Sequence, residues 1–182
     1  MFTIKINPPP NLNEVANRLA GIPGAMEKAA QNAISRTLKG GRQDASRKIA
    51  QRYTIKTQLV IDTIRTRVSG LHGEMKSRGS RNPLDRFYHR PTQRYDPPPA
   101  GGVYAQVVRG QGGQLKHAWL MRSGGIFERV GASRFPIKKL FSASAPGMLA
   151  IPPVSSSVVT KIEERLAINL EHAASAVIGG FL

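Results

Sequence analysis

Apolar residues recur at helical spacing along the last quarter of the chain. The spacings are 3, 4, 4, 3, 4 and 4 residues, and the positions are Val159, Ile162, Leu166, Leu170, Ala173, Val177 and Phe181. This period places the side chains on one face of a helix. Because an apolar face must be buried against another element, the sequence predicts a long C-terminal helix packed on the body of the protein.

A second long helix is predicted over residues 23–52. Its apolar stripe contains Met26, Ala30, Ile34, Leu38, Ala45 and Ile49, and Pro23 suits a first helical turn. Gly40 and Gly41 predict a weak or kinked point, since each glycine costs about 1 kcal/mol relative to alanine. The cations lie mostly off the stripe, so the solvent face is predicted to be basic and to carry Arg36, Lys39, Arg42, Arg47 and Lys48.

The remaining patterns favour short strands. Alternation predicts strands over Phe2–Ile6 and residues 65–76, with a short helix between Thr57, its expected cap, and Ile64. The stretches GVYAQVVRG, HAWLMR and GIFERV predict an antiparallel meander, with Ser123-Gly124-Gly125 as a turn and Trp119 in the core. We therefore expect an α+β fold in one domain, residues 1–182, with long terminal helices on a small, mainly antiparallel sheet.

Residues 77–102 follow neither the helical nor the strand pattern. Residues 77–102 contain five prolines and regularly spaced arginines, which predicts one extended basic loop. Such a loop is either a flexible connection or an arm that docks on a protein partner or a nucleic-acid backbone. The candidate contact residues are Arg81, Arg86, Phe87, Tyr88, Arg90 and Arg94, although Leu84, Phe87 and Tyr88 could instead hold the middle of the loop to the body.

The net charge of the chain indicates which classes of partner it can bind. The chain carries 27 Lys plus Arg against 11 Asp plus Glu, a net charge of +16, and residues 36–94 alone hold 15 basic and 4 acidic residues. Such a field favours polyanions: nucleic acid, an acidic membrane surface or an acidic protein. No apolar run is long enough to span a bilayer and no signal peptide is recognisable, so we expect neither a membrane protein nor a secreted one.

Catalytic patterns are weak. The absence of cysteine excludes disulfides and thiolate chemistry. Ser123 beside Gly124 and near His117 offers a hydrolase hypothesis, but RSGGI is not a nucleophile elbow, and the four histidines lack metal-site spacing. We therefore expect no enzymatic activity, no cofactor and no metal, and unchanged function after Ser123→Ala would eliminate the hydrolase hypothesis.

The order of motifs resembles the phage minor tail protein Z family of tail-completion proteins. The matching segments are PLDRFYHRPTQ, GGVYAQVVRG and KHAWLMRSGGIFERVGASRFPIKKLFSASAPGML. The positions that carry the resemblance are Leu84, Phe87, Arg90, Pro91, Ala118, Trp119, Ser123, Gly124, Gly125, Ile126, Phe127, Arg129, Phe135, Pro136, Ile137, Leu140, Phe141, Ser144, Pro146, Met148 and Leu149. Trp119 stands where the family usually has phenylalanine.

The resemblance implies a structural virion protein that completes the tail and joins it to the head. The implied partners are a tail terminator, tail tube or connector protein and further copies in a homo-oligomeric ring. The surplus of 11 positive charges in residues 36–94 leads us to expect that the basic residues of the first long helix face packaged DNA. The implied location is the head-proximal neck of the virion, after assembly in the host cytoplasm. A non-specific nucleic-acid-binding protein is the alternative that the charge leaves open.

Overall fold

The computed structural model describes residues 1–6, 11–94 and 100–180, and it has an α+β architecture. Two long helices, α2 (Ala25–Arg52) and α5 (Pro152–Ile178), pack side by side. Ile162, Leu166 and Leu170 of the predicted C-terminal stripe are buried, which confirms that face of α5; Phe181 lies outside the described residues. No helix in the described ranges is long and apolar enough to cross a bilayer.

Polar contacts fix the two long helices to each other beside their apolar interface. Asp44 on α2 is 8% exposed and accepts a hydrogen bond of 2.6 Å from Arg165 on α5. Asn169 on α5 donates to the buried Thr37 hydroxyl at 2.9 Å. Since a buried polar group costs free energy unless it is paired, these bonds favour one alignment of the helices.

The two glycines of α2 allow close packing, and α2 is one uninterrupted helix through them. A Cβ atom at Gly41 would lie 2.9 Å from Cγ1 of Ile162, which is itself buried. A Cβ atom at Gly40 would meet the outer part of the Arg165 side chain at 2.8 Å. The expected interruption is therefore absent, because the glycines make room for α5.

Gly41→Ala is expected to lower the free energy of unfolding by about 1 to 3 kcal/mol, since overpacking Ile162 outweighs the gain in helix propensity. Gln43→Ala is the control, because Gln43 is exposed on the same helix. We expect its truncation to change the free energy of unfolding by no more than about 0.5 kcal/mol. Chemical denaturation of both variants measures the difference, and equal effects would contradict close packing at Gly41.

Three short α-helices lie in the described ranges besides the two long ones. They are α1 (Leu12–Arg18), α3 (Thr57–Ile61) and α4 (Ala145–Leu149). The predicted helix after Thr57 ends earlier than expected, and Thr57 is its first helical residue while Lys56 is the cap. Arg18 joins α1 to Glu171 of α5 through an ion pair of 2.7 Å.

The first sheet packs against α2 and has the antiparallel order β1-β3-β2. Its strands are β1 (Phe2–Ile6), β2 (Ile64–Ser69) and β3 (His72–Ser77). The prediction for Phe2–Ile6 is confirmed, whereas residues 65–76 form a hairpin and not one strand. Gly70 turns the chain with φ 56°, a backbone conformation that glycine adopts without steric cost.

Part of the segment predicted as one long loop is structured. It contains β4 (Asn82–Pro83), a short 3-10 helix (Leu84–Arg86) and β5 (Tyr88–Arg90). Strand β5 belongs to a sheet of order β5-β6-β7, with β6 (Val103–Val108) and β7 (Gln111–Leu115). The prediction of an extended loop is therefore wrong for residues 82–90, because backbone pairing and the burial of Leu84 and Phe87 hold them to the body.

The last strands form two further small sheets. In one, the order is β10-β9-β8, with β8 (Ala118–Leu120), β9 (Ile126–Arg129) and β10 (Ile137–Lys139). In the other, β11 (Phe141–Ser142) pairs with β4. The predicted hairpin around Ser123 is confirmed, but the predicted meander is not continuous, because β6 pairs with β5 and β7 while β8 pairs with β9.

Candidate functional site

Most of the predicted docking residues are at the surface. Arg81, Arg86, Arg90 and Arg94 are exposed, and Tyr88 is 40% exposed. Phe87 is only 3% exposed and belongs to the core cluster, so its assignment as a contact residue is wrong. The sequence pattern did not show this difference. The 3-10 helix before Phe87 places its side chain in the core, whereas Tyr88 begins the surface strand β5.

Local contacts hold Arg86 and Arg90 in place. Arg86 donates to Oδ1 of Asn82 at 3.3 Å, and Asn82 in turn donates to the Ala143 carbonyl at 2.9 Å. The Arg90 guanidinium lies 5.6 Å from the centroid of the Tyr88 ring, within cation–π range. The arginines therefore project from a folded segment, so a partner would meet them with little further loss of backbone entropy.

The cations of α2 differ in their exposure and in their contacts within the fold. Arg36, Lys39 and Arg47 are exposed, as predicted for the solvent face of this helix, and Arg47 lies 3.9 Å from Oδ1 of the buried Asp44. Arg42 donates from both Nε and Nη2 to the Ile61 carbonyl, at 3.1 and 2.9 Å, and so caps the end of α3. Lys48 is half-buried. Among the predicted DNA-facing residues, Arg42 therefore also makes a structural contact within the fold.

The structure reveals a basic cleft that the sequence reading missed. The space encloses about 1060 Å³ beside the sheet of β8, β9 and β10. Among the described residues, its wall carries one carboxylate, Glu128, and six cations: Arg94, Lys116, Arg122, Arg129, Arg134 and Lys138. Lys138 pairs with Glu128 at 2.7 Å, so the described part of the wall carries more positive than negative charge.

Apolar side chains border the same basic cleft. Trp119, the only tryptophan, was predicted to be core but is half-buried and lies on the cleft wall. Val130 and Phe135, at the base of the hairpin between β9 and β10, are 58% and 66% exposed. Arg134 lies 5.8 Å from the Phe135 ring centroid. The surface thus combines cations with apolar groups that water solvates poorly.

Two hairpins assemble the basic cleft. The Ser123–Gly125 turn joins β8 to β9, and Gly124 and Gly125 have φ of 84° and 93°. The Val130 amide donates to the Pro136 carbonyl at 3.0 Å and closes the second hairpin. Four cations between Arg129 and Lys139 are a local sequence signal for part of this cleft, but a larger positive surplus lies in residues 36–94.

The residues of the hydrolase hypothesis do not form a catalytic pair. Ser123 is exposed in the turn between β8 and β9, and His117 is exposed between β7 and β8. Among the described residues, no hydrogen bond joins them. Over the same ranges, no three His, Asp or Glu side chains are grouped as metal ligands would be.

Comparison with known proteins identified no relative of this chain. No protein-family model, curated protein or solved structure matches the chain. Functional inference therefore rests on the motif residues and on the surfaces described above.

Proposed function

We propose that the chain is a non-enzymatic structural component of a phage virion, a minor tail or tail-completion protein at the head-proximal end of the tail. The motif residues that resemble the minor tail protein Z family support this proposal. They include Gly125, Ile126 and Phe127 of the hairpin beside the basic cleft, and Met148 and Leu149 of α4.

The exposure of Val130 and Phe135 is the observation that carries the assembly role. Large apolar side chains that stand 58% and 66% exposed lose contact with water when a partner covers them, which favours association. Neighbouring cations, Arg129 and Arg134, supply charge that selects among partners. This combination is typical of a docking surface on an assembly protein.

A ring of identical copies fits the proposed position in the tail. Ring closure requires a heterologous interface, in which each copy uses two different surfaces. Copies with a net charge of +16 repel one another, so anionic groups of neighbouring tail proteins or of packaged DNA must offset that charge. The proposed neighbours are a tail terminator, a tail tube or a connector protein, met in the host cytoplasm during assembly.

The proposal predicts that purified virions contain this chain. Mass spectrometry of the particles should detect it, and gold-labelled antibody should mark the junction of head and tail. Labelling that is confined to the distal tail tip would contradict the head-proximal position. Absence from purified particles would refute the virion assignment altogether.

A non-specific nucleic-acid-binding protein is the second candidate. The exposed cations of α2, Arg36, Lys39 and Arg47, favour it, because neutralised phosphates release counterions. It predicts that the purified chain binds DNA of any sequence with an affinity that falls steeply as salt rises. Replacing these three cations with glutamate should then remove most of that affinity, whereas unchanged binding would exclude α2 as the DNA-facing surface.

A further inference from the structure

The basic cleft holds positive charge that the described chain leaves largely uncompensated. Arg122, Arg129 and Arg134 line it, and among the described residues none of the three forms an ion pair with a carboxylate. Cations gathered on one concave wall raise one another's electrostatic energy, and an anionic ligand relieves that repulsion. We infer that the basic cleft binds an acidic, partly apolar polypeptide segment of a partner protein.

A second copy of this chain is a poor source of that ligand. The chain has 11 acidic residues against 27 Lys plus Arg, and several carboxylates are already paired within the fold. Asp44 holds Arg165, and Glu171 holds Arg18. A copy that approached the cleft would bring its own charge of +16, so the anionic segment comes from a different molecule.

The apolar wall favours a polypeptide over a nucleic-acid strand. Nucleic-acid strands bind chiefly through phosphate neutralisation and stacking on flat rings, for which the wall offers Trp119 and Phe135. Leu120, Met121 and Val130 are aliphatic and match aliphatic side chains better than bases. A segment that mixes Asp or Glu with apolar residues satisfies both parts of the wall.

The proposed segment would lie along the cleft with its carboxylates on the arginines. A guanidinium binds a carboxylate through two parallel hydrogen bonds, which sets the position of the segment as well as its affinity. The apolar side chains of the segment would cover Val130 and Phe135 and remove them from water. Release of the segment should therefore accelerate as salt rises, while its apolar contacts persist.

Trp119 provides a direct measurement on the wild-type chain. It is the only tryptophan and lies on the wall of the basic cleft, so its fluorescence reports binding there. The probe is a short tryptophan-free peptide in which glutamate alternates with leucine, compared with its glutamine analogue and with oligothymidylate. We expect the acidic peptide to change the fluorescence saturably and to bind more tightly than either comparison probe.

The triple variant Arg122→Glu, Arg129→Glu, Arg134→Glu is expected to weaken peptide binding at least about tenfold. The matched control reverses three exposed cations of α2, Arg36, Lys39 and Arg47, and should leave binding nearly unchanged. Circular dichroism checks that both variants fold. If the cleft variant does not fold, Arg122→Gln with Arg129→Gln replaces it, and the same direction of change is expected.

Several results would overturn the inference: no saturable fluorescence change, tighter binding of oligothymidylate, or equal losses in the cleft and α2 variants. Self-association of the wild-type chain that the cleft variant loses would assign the cleft to a second copy and would also overturn the inference. The inference rests on the proposed assembly function for the source of the partner. The two fail separately, because peptide binding is measured on purified protein and the virion role is measured on particles.

Discussion

Ile162→Ala is expected to lower the free energy of unfolding by about 2 to 4 kcal/mol. Ile162 is 2% exposed and packs on α2 where Gly41 leaves space for it. Truncation removes buried methyl and methylene groups and leaves a cavity between two long helices that can collapse only partly. Urea denaturation monitored by circular dichroism measures the loss.

Ile168→Ala is the matched control for that substitution. Ile168 lies on the same helix, α5, but its side chain is 56% exposed. Its truncation should change stability by no more than about 0.5 kcal/mol, as is usual for surface positions. Similar losses at Ile162 and Ile168 would contradict the packing of α5 on α2.

Reversing the charges of Arg81, Arg86, Arg90 and Arg94 together to glutamate is expected to block incorporation of the chain into virions. All four residues are exposed, and backbone pairing of Asn82–Pro83 and Tyr88–Arg90 holds the segment between Arg81 and Arg94 to the body at two points. Each substitution exchanges a positive for a negative charge, so an acidic neighbour would meet repulsion where it now meets attraction. Quantitative mass spectrometry of particles from complemented infections measures incorporation.

A four-residue control distinguishes a docking defect from a general effect of charge. Arg36, Lys39, Arg47 and Arg52 are exposed cations of α2, and their reversal changes the net charge by the same amount. The α2 variant should be incorporated normally, even if a later step that involves DNA is impaired. Normal incorporation of the first variant, or equal loss of both, would contradict docking through residues 81–94.

The long helices were predictable from sequence because the apolar stripe of each helix repeats over several turns. A stripe that persists over several turns survives local exceptions, and α2 and α5 both follow it. The function of Gly40 and Gly41 was not predictable, since propensity describes an isolated helix and the reason for these glycines lies on α5. Whether a helix forms can thus be predicted from its own sequence, whereas the surface on which it packs cannot.

The short strands were harder to predict because their signals are brief and ambiguous. Residues 65–76 alternate on both sides of Gly70, so the pattern alone does not show where one strand ends and the next begins. Strand β7 (Gln111–Leu115) is rich in glycine and glutamine and has almost no apolar alternation. Its pairing with β6 comes from the hairpin connection and not from its own side chains.

The basic cleft was not predictable from local charge because several separate segments build it. Arg94, Lys116 and Arg134 are far apart in sequence and meet only through the hairpins of the later strands. The predicted docking residues were exposed with the exception of Phe87, whose burial depends on the 3-10 turn before it. Composition therefore predicted a polyanionic partner but not the place of binding.

Electron microscopy of lysates from a phage that lacks this gene tests the central claim most directly. The numbers of complete particles, free heads and free tails are counted, with the gene supplied in trans as the control. The account predicts filled heads beside unjoined or abnormal tails, and restoration of complete particles by the supplied gene. Normal numbers of complete particles without the gene would contradict a role in tail completion.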